Sequence, residues 1–152
     1  MAISQAACNS FKQQLMLAVH DFRATGGDTF KLALYTASAN LGSGTTAYTV
    51  TGESSGANYV AGGNTLTRLG TFLTAPTAFL DFADLTFTNV TVTARGALIY
   101  NTTPSANAED GTPLTNPSVC VLDFGGDKTA AAGDFTIIFP AATATTAIIR
   151  IT

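Results

Sequence analysis

The sequence predicts an all-β protein: an antiparallel β-sandwich or jelly-roll with one N-terminal amphipathic α-helix. Short runs rich in Thr, Val, Ile and Phe recur from residue 28 onward, as half-buried strands prefer. Helical periodicity occurs in one stretch, near the N-terminus. The 152 residues fit a single domain, with the helix at about 9–24 and the sandwich at about 28–152.

The helix is predicted from "NSFKQQLMLAVHDF", where apolar residues recur at spacings of four, three and four between Phe11 and Phe22. Asn9 or Ser10 is the expected N-cap, and Gly26 follows the C-terminal end. Two roles stay open for this helix. It is a lid on a sheet of its own domain, or an anchor in an oligomer or on a capsid.

Seven or eight strands are expected after the helix. They are assigned to the runs "TFKLALYT", "NTLTRLGTFL", "TAFLDFADLTFTN", "VTVTARGALIY", "SVCVLDF", "DFTIIFP" and "TAIIRI". In the first run Phe30, Leu32 and Leu34 face one way. Gly70 marks an expected bulge or bend within the second run.

Two connections are much longer than the usual four to six residues. They cover about 37–63 and 101–117, and a shorter one, "GGDKTAAAGD", precedes the strand at Phe135. The first is rich in small and hydroxylated residues and carries one charge, Glu53. We predict that 37–63 is an adhesive arm ordered by a partner; the alternative is a mobile loop without one. The candidate partner-contact residues of the two connections are Leu41, Tyr48, Val50, Tyr59, Thr103, Pro113 and Leu114.

The composition favours association with other proteins. Hydrophobic residues make up 46% and charged residues 11%, against roughly 25% charged in typical domains. A net charge of −3 and scattered basic residues argue against a nucleic-acid partner. The apolar runs fall far short of the ~20 residues that span a bilayer, and the N-terminus does not resemble a signal peptide. We therefore expect neither a nucleic-acid nor a membrane partner.

Residues able to perform chemistry are few. His20 is interpreted as a surface or boundary histidine, and its neighbour Asp21 points about 100° away on a helix. Cys8 and Cys120 are expected to be reduced, with Cys120 in the core; the alternative is a bridge between them.

Two aspartate pairs are interpreted as turn or strand caps, the alternatives being a catalytic pair or a cation site. They are Asp81 with Asp84, and Asp123 with Asp127. We predict no catalytic residue, no cofactor, no metal and no enzymatic activity.

Several stretches in a fixed order resemble a family of small virion structural proteins of tailed bacteriophages. They are "FKLALYTASANLGSGTTAYT", "GANYVAGGNTLT", "ARGALIYN", "VLDFGGDKTAAAGDFTIIFP" and "AIIRI", within about 11–151. The resemblance implies a head cement or decoration protein with a jelly-roll-like fold. Its expected partners are the major capsid protein and further copies of itself, as a dimer or trimer.

The resemblance places the protein on the capsid surface of a virion, after synthesis in the host bacterial cytoplasm. Two alternatives stay open. One is a neck, tail or fibre-base component of the virion. The other is a carbohydrate- or receptor-binding module on its surface, which the absence of Trp disfavours because sugar sites commonly use exposed aromatic platforms.

Overall fold

Two antiparallel sheets and one helix form the fold in the computed structural model, which describes residues 2–152. In chain order the elements are β1 (Ala6–Ala7), α1 (Asn9–Met16), β2 (Phe30–Tyr35), β3 (Asn64–Thr65), β4 (Arg68–Thr74), β5 (Thr77–Phe82), β6 (Leu85–Asn101), β7 (Ser118–Ile137) and β8 (Ile149–Ile151). The larger sheet has the order β1-β7-β6-β2-β3 and the smaller β4-β5-β8. The predicted all-β class with one N-terminal helix is confirmed, whereas a jelly-roll strand order is not.

The longest strands, β6 and β7, form one extended hairpin. The prediction of a loop at "GGDKTAAAGD" is wrong, because this stretch lies inside β7 and pairs with β6, with Thr129 opposite Thr93. Val90, Val92 and Ala94 of β6 are buried while the threonines between them are exposed. Because buried and exposed positions alternate along β6, this strand is a half-buried surface. The Ala- and Gly-rich residues of β7 can therefore pair with it.

An aromatic cluster joins the two sheets. The rings of Phe30 in β2 and Phe82 in β5 lie 5.9 Å apart. Phe22 stacks on Phe30 at 4.4 Å, and Phe139 lies 5.9 Å from Phe82. All four side chains are at most 7% exposed, so the hydrophobic core lies between the sheets.

Strand β2 is buried on both sides. Phe30, Leu32 and Leu34 lie on one side, as predicted, and all three are buried. Ala33 and Tyr35 on the opposite side are fully buried as well. Residues 36–63 help to cover this opposite side of β2, so the long connection is part of the domain's own packing.

Helix α1 ends at Met16, and the prediction that it continues to about 24 is wrong. The backbone N–H of Val19 donates to the Gln14 carbonyl at 3.0 Å, and that of Ala18 to Leu15 at 3.3 Å. Ala18 has φ +56°. These features define a Schellman ending, which turns the chain away from the helix axis after two turns.

The start of α1 also differs from the prediction. Cys8 occupies the N-cap position without a side-chain cap bond, so neither Asn9 nor Ser10 is the cap. Cys8 and Cys120 are both free thiols, and both are buried. The predicted core position of Cys120 is therefore confirmed.

The run "NTLTRLGTFL" is divided between the two sheets. Its first residues form β3 in the larger sheet and its last form β4 in the smaller one. The pairing of β4 with β5 shifts register between Arg68 and Gly70, where Gly70 has φ +101°. This confirms the predicted bulge at Gly70, a conformation that residues with a Cβ rarely adopt.

Candidate interaction surfaces

Glu53 holds the long segment 36–63 in place. Its carboxylate accepts hydrogen bonds from the hydroxyls of Tyr48 at 2.6 Å and Tyr59 at 2.9 Å. It also accepts one from the backbone N–H of Gly62 at 2.6 Å. Glu53 thus connects Tyr48, Tyr59 and Gly62. Hydrogen bonds to a charged group are stronger than those between neutral groups.

The sequence has four tyrosines, and each of them either belongs to segment 36–63 or donates a hydrogen bond to it. Tyr35 donates to the Thr49 carbonyl at 2.5 Å, and Tyr100 to the Gly62 carbonyl at 2.7 Å. The rings of Tyr48 and Tyr100 stack at 4.8 Å. Burial, with a smaller contribution from Glu53, raises the pKa of Tyr100 to about 12, so its hydroxyl stays protonated and able to donate.

Close backbone contact seats the same segment on the larger sheet. At Gly63, with φ +69°, a Cβ would lie 1.8 Å from the carbonyl oxygen of Leu32 in β2. At Gly56 a Cβ would lie 1.7 Å from the carbonyl oxygen of Thr91 in β6. Glycine is required at both positions because the segment lies directly against strand backbone.

Residues 36–63 are therefore ordered by the chain itself, and the prediction that a partner supplies this order is wrong. Leu41 is 3% exposed and forms a bridge with Ile3. Tyr48 and Tyr59 are half-buried with their hydroxyls used internally. Val50 is 69% exposed and is the candidate of this segment best placed to contact a partner.

The second connection places its candidates in different settings. Pro113 is exposed, Leu114 is half-buried, and the Thr103 hydroxyl accepts a bond from the Thr29 N–H at 2.7 Å. The two connections meet where the Tyr48 N–H donates to the Asn116 carbonyl at 3.0 Å. Contact of any candidate residue with a partner stays a prediction.

His20 is buried, not at the surface or boundary as predicted, because the chain turns inward after α1. Its Nε2 lies 2.8 Å from Gln14 Oε1, and its Nδ1 lies 3.1 Å from Asn101 Nδ2. Asn101 also donates to the Asp28 carboxylate at 2.8 Å. Burial lowers the pKa of His20 to about 4, against a smaller raising effect of Asp28.

Three of the four aspartates singled out in the sequence accept hydrogen bonds from backbone N–H groups, and the fourth pairs with an arginine. Asp81 is 1% exposed and accepts from the backbone N–H groups of Phe82 and Ile148, and burial raises its pKa. Asp84 accepts from the Phe139 N–H at 2.9 Å.

Asp123 and Asp127 each have a partner of their own. Asp123 accepts from the Gly125 N–H at 2.9 Å, as a turn residue does. Asp127 forms an exposed ion pair with Arg95 at 2.7 Å. In the described residues no group of three or more His, Cys, Asp or Glu side chains is placed to hold a metal ion.

An exposed apolar row on the smaller sheet is the surface that sequence reasoning missed. Leu73, Ala78 and Ile151 lie side by side across β4, β5 and β8 and are all exposed; Leu73 is 73% and Ile151 58% exposed. Leu80 and Ile149, two residues inward on the same side, are buried. The core-facing side of this sheet thus extends beyond the core and ends in uncovered apolar side chains.

One signal in the sequence indicates that this sheet has exposed apolar residues, although it does not locate the row. Phe72 and Leu73 are adjacent in a strand, so their side chains point to opposite sides of the sheet. One small sheet at the edge of the domain rarely has a core on both sides. Phe72 is indeed 42% exposed and stacks on Phe79 at 5.4 Å.

Comparisons with known proteins found no similarity. No protein-family model matches the chain, and neither a curated protein nor a solved structure matches it. Among residues 2–152, no helix has the length and apolar character needed to cross a bilayer.

Proposed function

We propose that this chain is a structural, non-enzymatic protein of a tailed-bacteriophage virion, which binds the capsid surface and bridges adjacent major capsid subunits. The observation that carries the proposal is the apolar row of Leu73, Ala78 and Ile151. Exposed apolar side chains that continue a core-facing surface are typical of a protein–protein contact.

The charge distribution supports docking through this sheet. Three of its residues are charged: Arg68, Asp81 and Arg150. Asp81 is buried, and Arg68 donates to the backbone carbonyls of Arg23 and Asp28. Covering the apolar row therefore desolvates few charges, which keeps the cost of association low.

The self-ordered segment 36–63 supports a bridging role. A rigid scaffold loses little conformational entropy on binding, so more of the contact energy appears as affinity. Val50 is exposed at a site distinct from the smaller sheet, and Pro113 is exposed on the second connection. Two separated contact sites let one copy join two neighbours, and many such contacts reinforce a shell collectively.

The experiment is rebinding to capsids. Particles of the virus that encodes the chain are stripped of it, and purified variants are added back and quantified by sedimentation. We expect Leu73→Ser with Ile151→Ser to lower capsid affinity at least about tenfold, since each buried aliphatic side chain contributes about 1.5–3 kcal/mol.

A matched control is Ile138→Ser, which removes a 77% exposed aliphatic side chain outside the row. This variant should bind as the unchanged protein does. Equal binding by all variants would contradict docking through the smaller sheet. Failure of the unchanged protein to bind stripped capsids would contradict the proposed function itself.

A further inference from the structure

We propose that buried His20, Gln14, Asn101 and Asp28, together with the exposed Ser105, form an acid-sensitive latch that ties the second long connection to the helix end of the domain. The inference does not depend on the proposed function. It rests on a hydrogen-bond pattern that admits a neutral imidazole and opposes a charged one.

The orientation of Asn101 is fixed by two partners. Its Oδ1 accepts from the Thr103 N–H at 2.9 Å, and its Nδ2 donates to Asp28 Oδ2 at 2.8 Å. The amide nitrogen, a donor, is therefore the atom that faces His20 Nδ1 at 3.1 Å. His20 Nδ1 must accept, so the proton of the neutral ring lies on Nε2 and is donated to Gln14 Oε1.

A second proton on His20 disrupts this arrangement. It would occupy Nδ1 and point at the N–H₂ group of Asn101, placing two donors together. Relief requires Asn101 to rotate, which breaks its bonds to Thr103 and Asp28. A charged ring that stays buried would lose solvation without gaining a direct carboxylate partner.

The surrounding charges do not remove the conflict. Asp28 is the carboxylate whose charge acts on His20, but its oxygens already accept from Asn101 Nδ2 and, at 2.7 Å, from the Ser105 hydroxyl. Asp21 and Arg23 pair with each other and line the outer depression beside His20, of about 410 Å³.

Arg68, from the smaller sheet, donates to the backbone carbonyl of Asp28 and not to its carboxylate. From α1 and β6, Gln14 and Asn101 present neutral amides. Burial accordingly lowers the pKa of His20 to about 4.

The cluster controls the start of the second connection. The Ser105 N–H donates to the Val19 carbonyl at 2.8 Å, and its hydroxyl holds Asp28. The Thr102 N–H donates to the Thr29 carbonyl at 2.8 Å. Loss of the Asn101 geometry therefore releases residues 102–105 from segment 19–29, while the β6–β7 ladder beyond stays paired.

Hydrogen exchange on the full chain tests the latch. The protection factors of the Thr102 and Ser105 amides are measured relative to that of Leu98, in the paired core of β6. We expect this ratio to fall about tenfold between pH 7.5 and 5.5, since the open state titrates near the ordinary histidine value and the closed state near 4. In His20→Gln, which has no proton to gain, the ratio should not change over the same range.

An unchanged ratio in the wild type, or an equal fall in His20→Gln, would overturn the proposal. The wild type also provides a test that needs no variant. His20 is the one histidine of the sequence, so its imidazole resonances can be followed alone by NMR. Titration near pH 4 supports the latch, and a midpoint at 6.5 or above overturns it.

Discussion

The hydroxyl of Tyr48 donates a 2.6 Å hydrogen bond to the carboxylate of Glu53, within a segment whose one charge is Glu53. This bond, with those from Tyr59 and Gly62, explains how a chain of small polar residues covers a sheet. Such residues bury little apolar area, so hydrogen bonds to one central carboxylate contribute much of the local order.

Replacing Glu53 by Gln tests this role. The amide keeps the shape but loses the charge, so the three bonds weaken and the free energy of unfolding should fall by about 1–3 kcal/mol in urea denaturation. Burial raises the pKa of Tyr59 and Glu53 raises it further, so the pKa of Tyr59 should be lower in this variant in a spectrophotometric titration. Glu109→Gln, at an exposed site, is the control and should change neither quantity. Equal stability of the two variants would show that Glu53 does not organise the segment.

Gly63→Ala tests the seating of the segment on β2. The new Cβ meets the Leu32 carbonyl oxygen, and the residue must hold φ +69°, so stability should fall by at least about 2 kcal/mol. Gly44→Ala in the same segment has open space around the added methyl group and should change stability by less than about 0.5 kcal/mol. A mild Gly63→Ala variant would mean that the backbone contact is looser than described.

A buried and an exposed phenylalanine of the smaller sheet should differ in their contribution to stability. Phe82 is 2% exposed among three other rings, so Phe82→Ala should cost about 3–5 kcal/mol of unfolding free energy. Phe72 is 42% exposed, so Phe72→Ala should cost about 1 kcal/mol or less by the same measurement. Comparable losses would mean that Phe72 is buried in solution, against the exposure described above.

Thiol labelling tests the burial of both cysteines. Burial raises the pKa of Cys120 to about 12, which makes its thiolate fraction at neutral pH about a thousandfold smaller than that of a free cysteine. Burial also raises the pKa of Cys8. We expect iodoacetamide to label neither residue in the native protein and both in urea. Rapid labelling of one thiol in the native state would place that residue at the surface.

The sequence was sufficient to predict elements whose pattern is local. The alternation around Leu32 and Leu34 gave β2, and Gly70 gave the bulge, because side-chain period and backbone freedom act over a few residues. The β6–β7 ladder was predicted only in part. The partner strand lies far along the sequence, and Ala and Gly have weak strand preferences of their own.

The surfaces were harder to predict for the same reason. The partners of Glu53, Tyr48 among them, and those of His20 are set by how loops fold back, and no short spacing encodes this. The sequence predicts too long a helix because Val19 and Phe22 do reach the core, but through a turn rather than a helical face. Exposure of Leu73 depends on where the larger sheet ends, which the period of one strand cannot show.

The most direct test of the proposed virion role is the number of copies of this chain per purified virus particle, measured by quantitative mass spectrometry against the major capsid protein. The account predicts hundreds of copies, in fixed ratio to the shell subunit. About a dozen or fewer would instead place the chain at the neck or tail, and its absence from particles would contradict a structural role in the virion.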